Sequence, residues 1–125
     1  MTAAWVAELN GHVVGHAAVN HPQAGDKAAR MWSEQSGETE VRVGVLARLF
    51  VGREARNASA GANLVKAATS YARQSDLRLV LDVLTKDAAA IRLYERLGWQ
   101  RIGETVHVFG DGQRRDAICF VSPTP

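Results

Sequence analysis

A chain of 125 residues with 46% hydrophobic content has room for one compact domain with a real core, expected over residues 1–125, and none for a second. Its formal charge of +2 is small and its Lys and Arg residues are dispersed, which argues against a nucleic-acid partner. Cys119 is the only cysteine, so an internal disulfide is excluded, and within the apolar run Ala117–Val121 it reads as a small core residue. No apolar run approaches the roughly 20 residues that span a bilayer, and the N-terminus lacks the basic flank and apolar core of a signal peptide. A cytoplasmic protein with no membrane partner is expected.

In chain order, Trp5–Leu9 and Val13–Val19 flank Asn10-Gly11, a two-residue hairpin signal because both residues tolerate positive φ. Asn20–Glu40 follows as a long polar stretch with Pro22, Gly25 and Gly37, broken by an apolar island at Ala28–Trp32 that has the length of one helical turn. Val45, Leu46, Leu49, Phe50 and Val51 form a run with strand propensity that breaks at Gly52 and Asn57. From Ala60 to Gln74 the spacing is helical, with Leu64, Ala67, Ala68, Tyr71 and Ala72 on one face and Asn63, Lys66, Ser70 and Arg73 on the other. Leu77–Leu84 reads as a strand with Leu77, Leu79, Leu81 and Val83 on one face, and Asp82 interrupts the other. The next helix has Asp87 as N-cap, Gly98 past its end, and Arg92 and Arg96 toward its carbonyl end. Gly110-Asp111-Gly112 joins Thr105–Phe109 to Ala117–Val121 as a last hairpin, and Ser122–Pro125 reads as a frayed tail.

Two segments carry the chemistry. In the first, small residues Ala58, Ser59, Ala60, Gly61 and Ala62 surround a helix start, where bare N–H groups and the helix dipole favour an anion, and Arg56 adds a positive fork beside them. Alone, such a loop is more often plain packing. The second segment, Leu79–Glu104, repeats strand, turn and helix, then passes through Gly98-Trp99 to another short strand.

Together, Arg56-Asn57-Ala58-Ser59-Ala60-Gly61 and Asp87-Ala88-Ala89-Ala90-Ile91-Arg92-Leu93-Tyr94-Glu95-Arg96-Leu97-Gly98-Trp99 resemble the two motifs of the GNAT superfamily of acyl-CoA-dependent N-acetyltransferases. Those motifs are Arg/Gln-x-x-Gly-x-Gly/Ala and Asn-x-x-Ala-x-x-Leu-Tyr-x-x-x-Gly-Phe. The match is close across Val41–Gly103 and weaker on either side. The resemblance implies an α/β (α+β) fold: a mixed, mainly antiparallel sheet in chain order with flanking helices, splayed between the strands ending near Val51 and Leu84. It also implies acetyl-CoA as cosubstrate, with the pyrophosphate at Arg56, Asn57, Ala58, Ser59, Ala60, Gly61 and Ala62. The pantetheine arm would pair with the backbone of Leu49, Phe50 and Val51, with Asp87 and Tyr94 completing the cofactor contacts. Three departures stand out: Ser59 where the family usually has Gly, Asp87 in place of Asn, and Leu46, Ala47 and Arg48 where many relatives carry a strand Glu as general base. The family's N-terminal strand and helices have no counterpart before Trp5, which fits a fragment, a start assigned too far downstream, or a homodimer that completes the site.

Direct attack by a primary amine on the thioester expels a thiolate, and Tyr94 resembles the family's acid at that sulfur. On spacing alone Tyr94 reads first as a core aromatic, in a stripe with Ala90, Ile91, Leu93 and Leu97, and the motif turns the preference to function. The amine, with a reference pKa of about 10.4, must also shed a proton. Asp82, His107, His21 and Glu40 are candidate bases, with water relay as an alternative. Arg48 reads as a solvated or paired charge, or as an anchor for an acidic acceptor, and Trp32 either lines the acceptor pocket or caps the core. The reading is an N-acetyltransferase acting on a small-molecule or protein amine, with no metal. The alternative is a non-catalytic acyl-CoA-binding module of the same fold. A nucleotide domain on a doubly wound sheet is disfavoured by the opening hairpin.

Overall fold

The computed structural model describes residues 3–23, 25–37, 42–52, 60–108 and 110–123. Its elements run β1 (Ala3–Leu9), β2 (His12–Asn20), α1 (Lys27–Ser36), β3 (Val43–Val51), α2 (Ala60–Gln74), β4 (Arg78–Leu84), α3 (Ala88–Arg96), β5 (Gln100–Val108) and β6 (Arg114–Val121). The strands form one sheet in the order β1-β2-β3-β4-β6-β5, antiparallel throughout except between β3 and β4. The expected chain order therefore fails at its last step, where β6 inserts between β4 and β5. Burial accounts for the swap: Ala117, Ile118, Cys119, Phe120 and Val121 are all buried, whereas every residue of β5 is exposed or half-buried, so the more apolar strand takes the central place.

The opening hairpin turns as the sequence predicts, with Asn10 at φ 53° and Gly11 at φ 82°, the two positive values a tight turn needs. On one face of the sheet, α2 and α3 cover a core of Val19, Leu46, Leu79, Leu81, Val83, Ile118 and Phe120, into which Leu64, Val65, Ala68, Ile91 and Tyr94 project. On the other, Ala28 and Ala29 of α1 pack with Val43, Val80, Cys119 and Val121. That helix spans ten residues rather than the single turn expected. Its last turn is polar, Ser33–Ser36, so apolar spacing does not reveal it, and Gly37 ends it in the left-handed conformation at φ 75°. Trp32 caps this second core, with the Arg78 guanidinium 4.9 Å from its ring centroid, and does not line the cleft described below.

The β3 strand carries an irregularity of register. His16 pairs with Phe50 and Ala18 with Ala47, so β3 spends one residue more than β2 between these pairs, a β-bulge. A bulge bends its strand and strengthens the local twist. The parallel ladder to β4 joins only Val43–Val45 to Arg78–Val80, and beyond it the two strands part. Gly44 permits the tight start of this ladder, since a Cβ there would stand 2.9 Å from Val19 Cγ1.

Candidate active site

Where β3 and β4 part, they border a cleft of about 550 Å³. Both Leu81 and Val83, which face α2 and α3, and Asp82 and Leu84, which alternate with them, line it, so the opening runs through the sheet from one face to the other. From β3 come Val45, Leu46, Ala47 and Leu49. Past Val45 the β3 backbone has no β4 partner among the described residues, which leaves peptide groups facing the gap available to an added extended segment. The wall on the α1 side includes Asp26, at the N-cap of that helix.

Tyr94 stands at the junction of core and cleft. It is 5% exposed, its ring 5.5 Å from that of Trp99 and 5.8 Å from that of Phe120, yet it lines the opening together with Asp87 and Ala90. Tyr94 is therefore a core aromatic that also reaches the cleft. Burial pushes its hydroxyl up to about 12, so it is protonated at neutral pH and available as a donor. Asp87 occupies the N-cap position of α3, but its side chain makes no capping hydrogen bond. The ladder bond at that end is from the backbone, Ile91 N–H to Asp87 O at 3.1 Å, and the carboxylate is left to the cleft.

Two residues named singly as bases meet here. His107 Nε2 lies 2.5 Å from Asp82 Oδ2, and both side chains line the cleft. The alternation that sets Asp82 against its apolar neighbours signals a special position, but nothing in sequence spacing joins it to a residue on β5. His21 is exposed and outside the cleft lining. Asp26 was not anticipated, since the polar stretch around it gives no periodic signal.

Of the cofactor-contact residues, Ala60, Gly61 and Ala62 form the first turn of α2, with Gly61 beside Val51 and Leu93, where a Cβ would meet them at 3.5 and 3.6 Å. The helix start thus adjoins the end of β3. Leu49 and Val51 are half-buried there, and Phe50 pairs through its backbone with His16. Arg56, Asn57, Ala58, Ser59 and Glu40 lie outside the described residues, as do the side chains of Arg48 and Phe50. Cys119 is a buried thiol, pushed up to about 11 by burial and then by the Asp82 carboxylate, as expected of a core residue.

A family model for the acetyltransferase (GNAT) family matches residues 2–99. The chain belongs to the GNAT acetyltransferase family. Among solved structures it is similar to the ribosomal-protein-alanine N-acetyltransferase of Brucella melitensis, with 22% identity, a TM-score of 0.72, and coverage of 97% of this chain and 68% of that one. It is also similar to yncA of Salmonella typhimurium, solved with its cofactor acetyl-CoA, at 19% identity and TM-score 0.73 over 98% of this chain and 67% of that one. A third is the ribosomal-protein-S18-alanine N-acetyltransferase of Escherichia coli, at 21% identity and TM-score 0.70 over 97% and 68%. At these identities the likeness is one of fold, and this GNAT chain spans about two thirds of the length of each. No curated protein sequence matches it. Among the described residues no helix is long and apolar enough to cross a membrane.

Proposed function

We propose that this GNAT protein transfers the acetyl group of acetyl-CoA to a primary amine by direct attack in a ternary complex. The observation that carries the reading is the through-sheet opening between β3 and β4 with Tyr94 in its wall. Acetyl-CoA supplies an activated thioester. The residues fit it: an extended arm can pair with the β3 backbone at Leu49–Val51, which β4 has left, and the start of α2 at Ala60–Ala62 adjoins that edge to receive the pyrophosphate, with Arg56 and the amides of Asn57–Ser59 assigned to the same anion. The amine then approaches from the α1 side, past Asp26, Asp82 and His107.

Tyr94 serves the leaving sulfur. Outright transfer from a phenol at about 12 to a thiolate of ordinary basicity, about 8.5, is uphill by roughly 5 kcal/mol. The hydroxyl therefore hydrogen-bonds the sulfur as the C–S bond breaks, and yields its proton in concert with receiving one from the amine nitrogen. Asp87, whose carboxylate makes no cap, is an acceptor beside the same path.

Calorimetric titration with acetyl-CoA, followed by a panel of amines scored by release of free thiol, tests the proposal. Saturable binding and amine-dependent thiol release are expected. Absence of binding overturns it, and binding without release for every amine favours a non-catalytic acyl-CoA-binding module.

A further inference from the structure

In acetyl transfer to an amine, the nitrogen must shed a proton before it can attack, because a primary amine of pKa about 10.4 arrives as an ammonium. Tyr94 already carries its proton and serves the other end of the reaction. Asp26 is engaged, its Oδ2 accepting the Gln23 N–H at 2.6 Å. We propose, on the acetyl-transfer reading above, that Asp82 and His107 act as one proton-accepting pair that takes the first proton of the amine.

The geometry is costly to build and is not needed for stability. Asp82 interrupts the buried run of β4 between Leu81 and Val83, 3% and 9% exposed, on a strand flanked on both sides by others. In the ladder Asp82 stands opposite Cys119, while His107, on the edge strand, stands opposite Arg115. The two are thus separated by the whole of β6 and by four residues along it, about 13 Å of strand. A strong bend of the β5–β6 ribbon must bring them to 2.5 Å. That bend has its own supports. The β5 strand is bulged between Arg101 and Gly103, α1 sits so tightly on Gly103 that a Cβ would stand 2.5 Å from Met31 Sδ, and Lys27 Nζ donates to Val106 O at 2.7 Å. An exposed polar contact of this kind contributes little to stability, so packing energy is no reason to hold these two groups together beside the cleft.

The step balances. One ammonium proton moves to the pair and passes to solvent through His107, whose side chain is 43% exposed. The N–C bond forms, the C–S bond breaks, and the second nitrogen proton ends on sulfur by way of Tyr94. The charged groups around the pair are Asp26 and Lys27 from α1, Asp87 at the start of α3, and Arg115 from β6. The Cys119 thiol, held up to about 11, stays neutral over the range of the test.

The test compares pH–rate profiles of wild type, Asp82→Asn and His107→Gln with an amine from the panel, together with acetyl-CoA affinity by calorimetry. Acetyl-CoA affinity should stay within about twofold, kcat/KM near pH 7 should fall about 10²–10³-fold, and the deficit should shrink by up to about tenfold per pH unit as the free amine becomes abundant. The double variant should lose little more than either single one. A loss that is the same at every pH, or kcat/KM within about threefold of wild type, overturns the pair while leaving acetyl transfer standing. Wild type that binds acetyl-CoA and acetylates no amine overturns the parent reading and the pair with it.

Discussion

The two sides of β4 are built in opposite ways. Toward β6, every residue from Val80 to Leu84 has a ladder partner between Val121 and Ala117, and those five partners are all buried. Toward β3, pairing stops after three residues, and a bulge in β3 turns the neighbour away. The closed side is where burial concentrates, around Phe120, Leu79 and Val121. The open side leaves peptide groups, Tyr94, Asp87 and the Asp82–His107 pair around a gap. One strand thus serves as core on one flank and as the wall of a site on the other, and the chemistry gathers where a ladder is left unmade.

The sharpest way to break the comparison is on the closed side. Phe120→Ala removes a fully buried ring that touches Tyr94, and should cost about 3–5 kcal/mol in denaturant unfolding. A loss under about 1 kcal/mol would mean that the closed side is not where stability resides.

Alkali should reveal the same core. The Tyr94 and Cys119 groups lie above their ordinary values of 10.0 and 9.0, at about 12 and about 11, so the unfolded chain ionises first. The stability they contribute is therefore complete below about pH 9 and is lost as pH rises through 9–12, on the order of 2–3 kcal/mol for each group. Thermal unfolding followed from pH 8 upward should show this fall, and Tyr94→Phe and Cys119→Ala should each flatten it.

On the open side, Tyr94→Phe keeps the ring and so the packing, but removes the hydroxyl proposed as donor to sulfur. We expect kcat to fall about 10²-fold, the low end for positioned acid catalysis, with unchanged melting temperature and acetyl-CoA affinity. A kcat within about twofold of wild type would leave Tyr94 only its role in the core. Arg56→Ala should weaken acetyl-CoA about ten- to a hundredfold, the loss of one charge-assisted contact of about 1.5–3 kcal/mol. Calorimetry with unchanged affinity removes Arg56 from the site.

The elements of the closed side were legible from sequence, though their order in the sheet was not. The apolar face Leu77, Leu79, Leu81 and Val83, the apolar run Ala117–Val121 and the 3.6-residue stripe of α2 are burial patterns, and burial is what periodicity reports. The splay was legible only through family motifs, since a bulge is one residue of register and leaves no mark in composition. The length of α1 was hidden by its polar last turn, and the position of β6 depends on competition between two strands rather than on either one alone. Asp82 and His107 were each visible as titratable residues, but their meeting is set by the curl of a ribbon across β6, a tertiary effect no local pattern contains.

Amide hydrogen exchange with and without acetyl-CoA tests most directly whether the unmade ladder is the cofactor site. Saturation should slow exchange at Leu49–Val51 and at Ala60–Ala62, while Ile118–Val121, already paired with β4, should change little. Saturated cofactor with unaltered exchange at Leu49–Val51 would contradict the assignment of the β3 edge to the pantetheine arm.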